Sequence, residues 1–156
     1  MKKFILVFVI SFSINIGFSQ STFNTESKDS TNIYFHSLKK MCELFDANSV
    51  NNQILYVEEN LFTDKLPDNI LNFQIKYLNE YEIIKTIKDK GGDIMLIRIV
   101  SLRIRNGVFF INIIPFQAIY NKGNLELVNS GGMKVEYLFS QELNGLVFEK
   151  ANFSGI

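Results

Sequence analysis

Ile94-Met95-Leu96-Ile97-Arg98-Ile99-Val100-Ser101-Leu102-Arg103-Ile104-Arg105-Asn106-Gly107-Val108-Phe109-Phe110-Ile111-Asn112-Ile113-Ile114-Pro115-Phe116 is the stretch whose reading decides the fold. Two runs rich in β-branched and aromatic residues flank Asn106-Gly107. A two-residue type I′ turn needs positive φ at both positions, and Asn-Gly tolerates it. The stretch therefore reads as a hairpin, and the turn sets a register. Arg105 faces Val108, Ile104 pairs with Phe109, Leu102 with Ile111 and Val100 with Ile113, which makes one face apolar throughout. The other face shows Arg105, Arg103, Ser101 and Asn112 near the turn, then Ile99, Ile97, Ile114 and Phe116 farther on. That second face is wet near the turn and covered beyond it, as when a helix packs across part of a sheet. Pro115, lacking an N–H, belongs at an edge or a bulge, where it can shift the register beyond it.

Downstream, Lys122-Gly123, Gly131-Gly132 and Asn144-Gly145 recur as turn signals, so the last third reads as an antiparallel meander. Upstream, Tyr34, Leu38, Met41 and Phe45 repeat at helical spacing, with Phe35 and Cys42 widening the stripe. An amphipathic helix over 31–46 follows, capped by Ser30 or Thr31. Ile54-Leu55-Tyr56-Val57 is a short strand, Pro67-Asp68 a turn, and Phe73, Ile75 and Tyr77 alternate with Gln74 and Lys76 as a second strand. Ile83, Ile84 and Ile87 mark a shorter helix over 80–90, with Asn79 as its N-cap and Gly91-Gly92 at its end.

The expected fold class is α+β: an amphipathic N-terminal helix, a shorter second helix and a curved, mostly antiparallel sheet. This order of elements resembles the cone-shaped sheets of the ketosteroid-isomerase type. The resemblance is topological, and it implies a helix closing a curved sheet around a pocket. It transfers no residues.

At 156 residues the chain suits one domain. Met1-Lys2-Lys3 followed by Phe4-Ile5-Leu6-Val7-Phe8-Val9-Ile10 is a cationic start running into an apolar stretch, and Gly17 and Ser19 supply small residues before a cut at Ser19-Gln20. These are the parts of a signal peptide, and the junction resembles bacterial export signals. The run from Phe4 to Phe18 would span roughly 22 Å as a helix, short of the ~30 Å hydrocarbon core, which argues for cleavage over anchoring. The expected organisation is a signal peptide over 1–19, a polar flexible leader over 20–32 and a single domain over 33–156. The expected destination is the periplasm, cell surface or medium, with no membrane span after cleavage.

Sixteen basic residues balance sixteen acidic ones, and the cut removes Lys2 and Lys3 but no acid. That charge offers no footprint for nucleic acid. One cysteine, Cys42, excludes an intramolecular disulfide, and its place on the flank of the apolar stripe suits a buried, inert thiol. His36 is the single histidine, so a zinc site built on two histidines is excluded; it falls opposite the apolar stripe, on a solvated face. Glu58, Glu59, Asp64 and Asp68 crowd one region, yet their spacing matches no calcium loop, and Lys65 among them suits a solvated loop. Asn152-Phe153-Ser154 fits a glycosylation triplet, which is inert in a bacterial host. No phosphate loop, nucleophile elbow or cofactor motif is present, so no cofactor or metal is expected.

Arg98 departs from its surroundings. Counted back from the turn, it shares the face of Ile104, Leu102 and Val100, where an unpaired cation is costly. It either meets a carboxylate from another strand or lines a pocket for an anionic ligand, and it is the candidate ligand-binding residue. The function expected is that of an exported, non-catalytic domain, a binding module or a component of an assembly, with an unidentified ligand or protein partner. The alternatives are an exported hydrolase or isomerase with a pocket in the curved sheet, and a protein-interaction subunit.

Overall fold

The computed structural model describes residues 32–46, 53–129 and 131–154. The expected signal peptide, the leader up to residue 31 and the caps Ser30 and Thr31 lie outside the described residues. Asn32, assigned to the leader, is itself the cap of the first helix: its Oδ1 accepts the N–H groups of Tyr34 at 3.0 Å and Phe35 at 3.3 Å.

Helix α1 (Ile33–Asp46) buries Ser37, Leu38, Met41 and Cys42, the middle of the expected stripe. Strand β1 (Gln53–Glu58) follows, then the short β2 (Asn69–Ile70) and β3 (Phe73–Leu78). Helix α2 (Glu80–Lys90) is bounded by local chemistry at both ends. Asn79 and Glu82 form a reciprocal capping box, and Gly91 closes the helix at φ 68°, with its N–H on Lys88 O. Strands β4 (Ile94–Ile99), β5 (Arg103–Arg105), β6 (Val108–Asn121), β7 (Asn124–Asn129), β8 (Gly132–Ser140) and β9 (Gly145–Ser154) complete one unclosed sheet. Its order is β2-β3-β1-β4-β6-β8-β9, with β5 and β7 also pairing with β6.

The sheet is mixed. β1 runs parallel to both β3 and β4, while every other pairing among the described residues is antiparallel. Parallel neighbours need a crossover, and α2 supplies the one from β3 to β4, passing over β1. The helices cover opposite faces. Leu38, Met41 and Cys42 pack on Leu55, Val57, Ile97, Ile99, Ile111, Ile113, Met133 and Val135. Ile83 and Ile87 pack on Tyr56, Leu78, Ile94, Leu96 and Ala118, the alternate residues of the same strands.

In the meander, both Asn106-Gly107 and Lys122-Gly123 take positive φ, as two-residue hairpin turns require. The expected register holds beside the first turn, where Arg105 pairs with Val108 and Ile104 with Phe109. It then slips. Ile99 pairs with Ile113 and Arg98 with Ile114, so residues 100–102 face only Ile111 and Asn112. One extra residue in a strand moves every side chain beyond it to the other face. The expected pairings of Leu102 with Ile111 and Val100 with Ile113 are therefore corrected, and Arg98 leaves the face of Ile104.

A second slip occurs on the opposite edge of β6. Phe116 pairs with Asn129 but Ile113 with Met133, so β7 and β8 run along β6 as one interrupted strand. Gly131, at φ 103°, belongs to this interruption and not to the hairpin turn expected at Gly131-Gly132. Pro115 pairs with Ile97 on one side and stands, on the other, in the gap between β8 and β7.

Candidate functional site

A wide concavity lies at one end of the sheet, where the N-terminus of α1 meets two loops. It measures about 920 Å³ and is lined by Asn32, Ile33, Tyr34, Leu61, Phe62 and Lys65 on one side and by residues 143–147 on the other. Each wall is held by its own hydrogen bonds. In the first loop the Thr63 hydroxyl donates to Asn60 O and accepts from Asn60 N, both at 2.8 Å, and Asn60 Oδ1 accepts from Phe62 N at 2.9 Å. Thr63 is buried within this hydrogen-bonded turn, while Leu61, two residues before it, points into solvent. Phe62 stacks on Tyr34, with ring centroids 4.8 Å apart, and the Tyr34 hydroxyl accepts Leu102 N–H at 3.2 Å. In the second loop Leu143 N–H bonds to Ser140 Oγ at 3.2 Å, and Asn144 turns the chain at φ 47°. Leu61 is 88% exposed and Leu143 70% exposed, so two apolar side chains stand in water at the rim.

Beside this groove, α1 is joined to β8 by a buried polar cluster. The Tyr137 hydroxyl lies 2.7 Å from Ser37 Oγ, 3.0 Å from His36 Nδ1 and 3.1 Å from Ile33 O. The carbonyl can only accept, so tyrosine gives its single proton there, and both Ser37 and the His36 Nδ1–H donate to the phenol oxygen. All three valences of the hydroxyl are then filled. Burial pushes the Tyr137 hydroxyl up to about 12, which keeps it neutral.

His36 was expected on a solvated face; instead its ring contacts the edges of Tyr137 and Phe148 at 5.8 and 5.1 Å. The reason is the width of the buried stripe, which runs through Ser37 and carries its neighbour with it. Burial and the nearby Lys40 hold the imidazole below its ordinary value. Cys42 is fully buried, and burial lifts its thiol to about 12, as suits an unreactive sulfur.

Arg98 stands on the α2 side of the sheet, aligned with Ile94 and Leu96. Glu58 takes its guanidinium in a two-pronged pair: Nε donates to Oε2, and Nη2 to Oε1 at 2.8 Å. Phe116 lies beneath, 5.0 Å from the guanidinium carbon. The Glu58 carboxylate holds Arg98 more firmly charged. Arg98 is not among the residues lining the groove. Of the expected acidic region, Glu58 belongs to this pair while Glu59, Asp64 and Asp68 are exposed. Among the described residues no three His, Cys, Asp or Glu side chains gather where they could hold a metal ion.

Leu61, Phe62, Leu143 and Ser37 were not singled out from the sequence. The only available signal was Ser37, a polar residue within the apolar stripe; two leucines in loops carry none. Among the described residues no helix is long and apolar enough to cross a membrane. No protein-family model, curated protein or solved structure matches this chain.

Proposed function

We propose that the chain is an exported, non-catalytic binding module that seats an apolar segment of a partner in the groove between residues 61–65 and 143–147. The observation that supports this is the exposure of Leu61 and Leu143 on loops braced by internal hydrogen bonds. Apolar side chains held out by a rigid support lose little conformational entropy when covered, so the contact favours association. The lining suits contact more than acid–base chemistry, because its titratable groups are the Lys65 amine and the Tyr34 phenol, with no carboxylate, imidazole or thiol among the lining residues. An exported hydrolase or isomerase would instead need a pocket within a cone-shaped sheet of the ketosteroid-isomerase kind, with two titratable groups converging there.

The experiment places a photo-crosslinking residue at Leu61 or Leu143, with Lys85 on the far face as control, in cells of the native host. A single partner trapped from both rim positions and not from Lys85, in the periplasmic, surface or secreted fraction, is the expected result. Retention of the product in the cytoplasm would reject export. Equal labelling from rim and control positions would reject the groove.

A further inference from the structure

Strand β9 is ten residues long and pairs with β8 alone, so one entire edge of Gly145–Ser154 carries no partner among the described residues. Long free edges recruit other strands unless something prevents it. We infer that this edge is built for a second copy of the same chain, with two β9 strands running antiparallel about a two-fold axis between Glu149 and Lys150.

Strand β9 is bulged where it pairs with Glu136 and Tyr137. Tyr137 pairs with Phe148 and Glu136 with Lys150, leaving Glu149 as an extra residue. Phe148 and Ala151 lie opposite Tyr137 and Val135, so they share the α1 face although they are three residues apart. Leu146 and Phe153, opposite Phe139 and Met133, share it too, while Val147 and Asn152 share the other. An unbulged strand folded back on a midpoint between two residues would oppose side chains of opposite faces. This one does not. Rotation about the Glu149–Lys150 midpoint sets Leu146 against Phe153, Val147 against Asn152 and Phe148 against Ala151, each pair matched by face.

At the centre, Glu149 of each copy meets Lys150 of the other, so two opposite-charge pairs form across the axis. Lys150 already pairs with Glu136 in its own chain, so a foreign strand without that complement meets the Glu149 charge and a bend, and the same features that blunt the edge toward other partners favour self-pairing. Phe153, 46% exposed in the single chain, gains a neighbour in Leu146 of the partner copy. Gly145, Leu146 and Val147 belong both to this edge and to the wall of the groove, but the groove as read above needs no second copy.

Sedimentation and zero-length carbodiimide crosslinking of a mixture of light and heavy-isotope-labelled protein test it. The expected result is a reversible dimer with a mixed-isotope crosslink joining Glu149 to Lys150. Glu149→Lys and Lys150→Glu should each weaken self-association by about tenfold or more, and the two variants mixed should recover it as a heterodimer. Lys150 also lies 3.3 Å from Glu136. Should Lys150→Glu fail to fold, Glu149→Lys and the wild-type crosslink decide alone. A monomer at the highest soluble concentration, a dimer unaffected by Glu149→Lys, or crosslinks confined to other strands would overturn the inference.

Discussion

Beside the Asn106-Gly107 turn, β5 and β6 pair Ile104 with Phe109, and Ile104 is left 62% exposed. A few residues farther from the turn, β4 and β6 pair Ile97 with Pro115 and Ile99 with Ile113, and both isoleucines are buried. Through Phe109, Ile113 and Pro115 all three isoleucines lie on one face of the sheet, yet an even-numbered residue holds that face near the turn and odd-numbered residues hold it farther on. A turn transmits its register only through regular pairing, and the extra residue among 100–102 ends that transmission. Local chemistry governs the first region, and packing on α1 governs the second.

The comparison breaks most directly through paired truncations. Ile97→Ala should cost about 2–5 kcal/mol because it empties space under α1. Ile104→Ala should stay within about 0.5 kcal/mol. Denaturant unfolding of the two variants checks this; a larger loss at Ile104 would mean that the packed core extends to the turn.

Tyr137→Phe tests the polar link between α1 and the far region. It leaves the buried Ser37 hydroxyl without its partner, and the expected loss is about 1–3 kcal/mol, read as a lower unfolding midpoint. An unchanged midpoint would mean that the α1 contact rests on apolar packing alone.

Gly107→Val sharpens the near side. It forces a β-branched residue to a φ of 77°, at a cost on the order of 1–3 kcal/mol. The added Cβ meets nothing within 4 Å, so the loss reports backbone strain and not a clash at Cβ. A midpoint equal to wild type would place the turn elsewhere.

Arg98→Met should cost only about 0.2–1 kcal/mol, and less in high salt, because the Glu58 pair is partly exposed. An arginine paired on a dry face would lose about 3–5 kcal/mol. Thermal melts at low and high salt separate the two cases.

The smallest effect concerns His36. Its folded value lies below the usual 6.5, so the unfolded chain takes up the proton more readily. The stabilising contribution is complete above 6.5 and fades as pH falls from there through the folded value. The imidazole C2 proton followed by NMR should titrate with a midpoint below 6.5. A midpoint above it would indicate a solvated ring beside Glu43.

Both helices, the strands at 53–58 and 73–78, and the two-residue turns at Asn106-Gly107 and Lys122-Gly123 were legible because each rests on neighbours in sequence. Helical spacing, a capping Asn79 and a glycine at positive φ act over a few residues. The parallel pairing of β1 was not legible: strand direction depends on where the chain returns after the 59–72 connection, and no residue there announces it. The groove was hidden for a similar reason, since Leu61 and Leu143 are ordinary loop leucines until folding places them on one rim.

The amino-acid sequence by itself determined both helices, strands β1 and β3, the apolar stripe of α1 and the turn at residues 106–107, because propensity, capping and periodicity are short-range. Tertiary structure alone decided which face each strand shows. Three bulges, at residues 100–102, next to Gly131 and at Glu149, each shift the period-two alternation by one place. A bulge forms where packing of the whole sheet gains more than one regular pair loses, and that balance is set by residues far apart in the chain. The bulge at residues 100–102 sent Arg98 to Glu58, 40 positions away, while the packing of α1 on β8 brought His36 to Tyr137, 101 positions away.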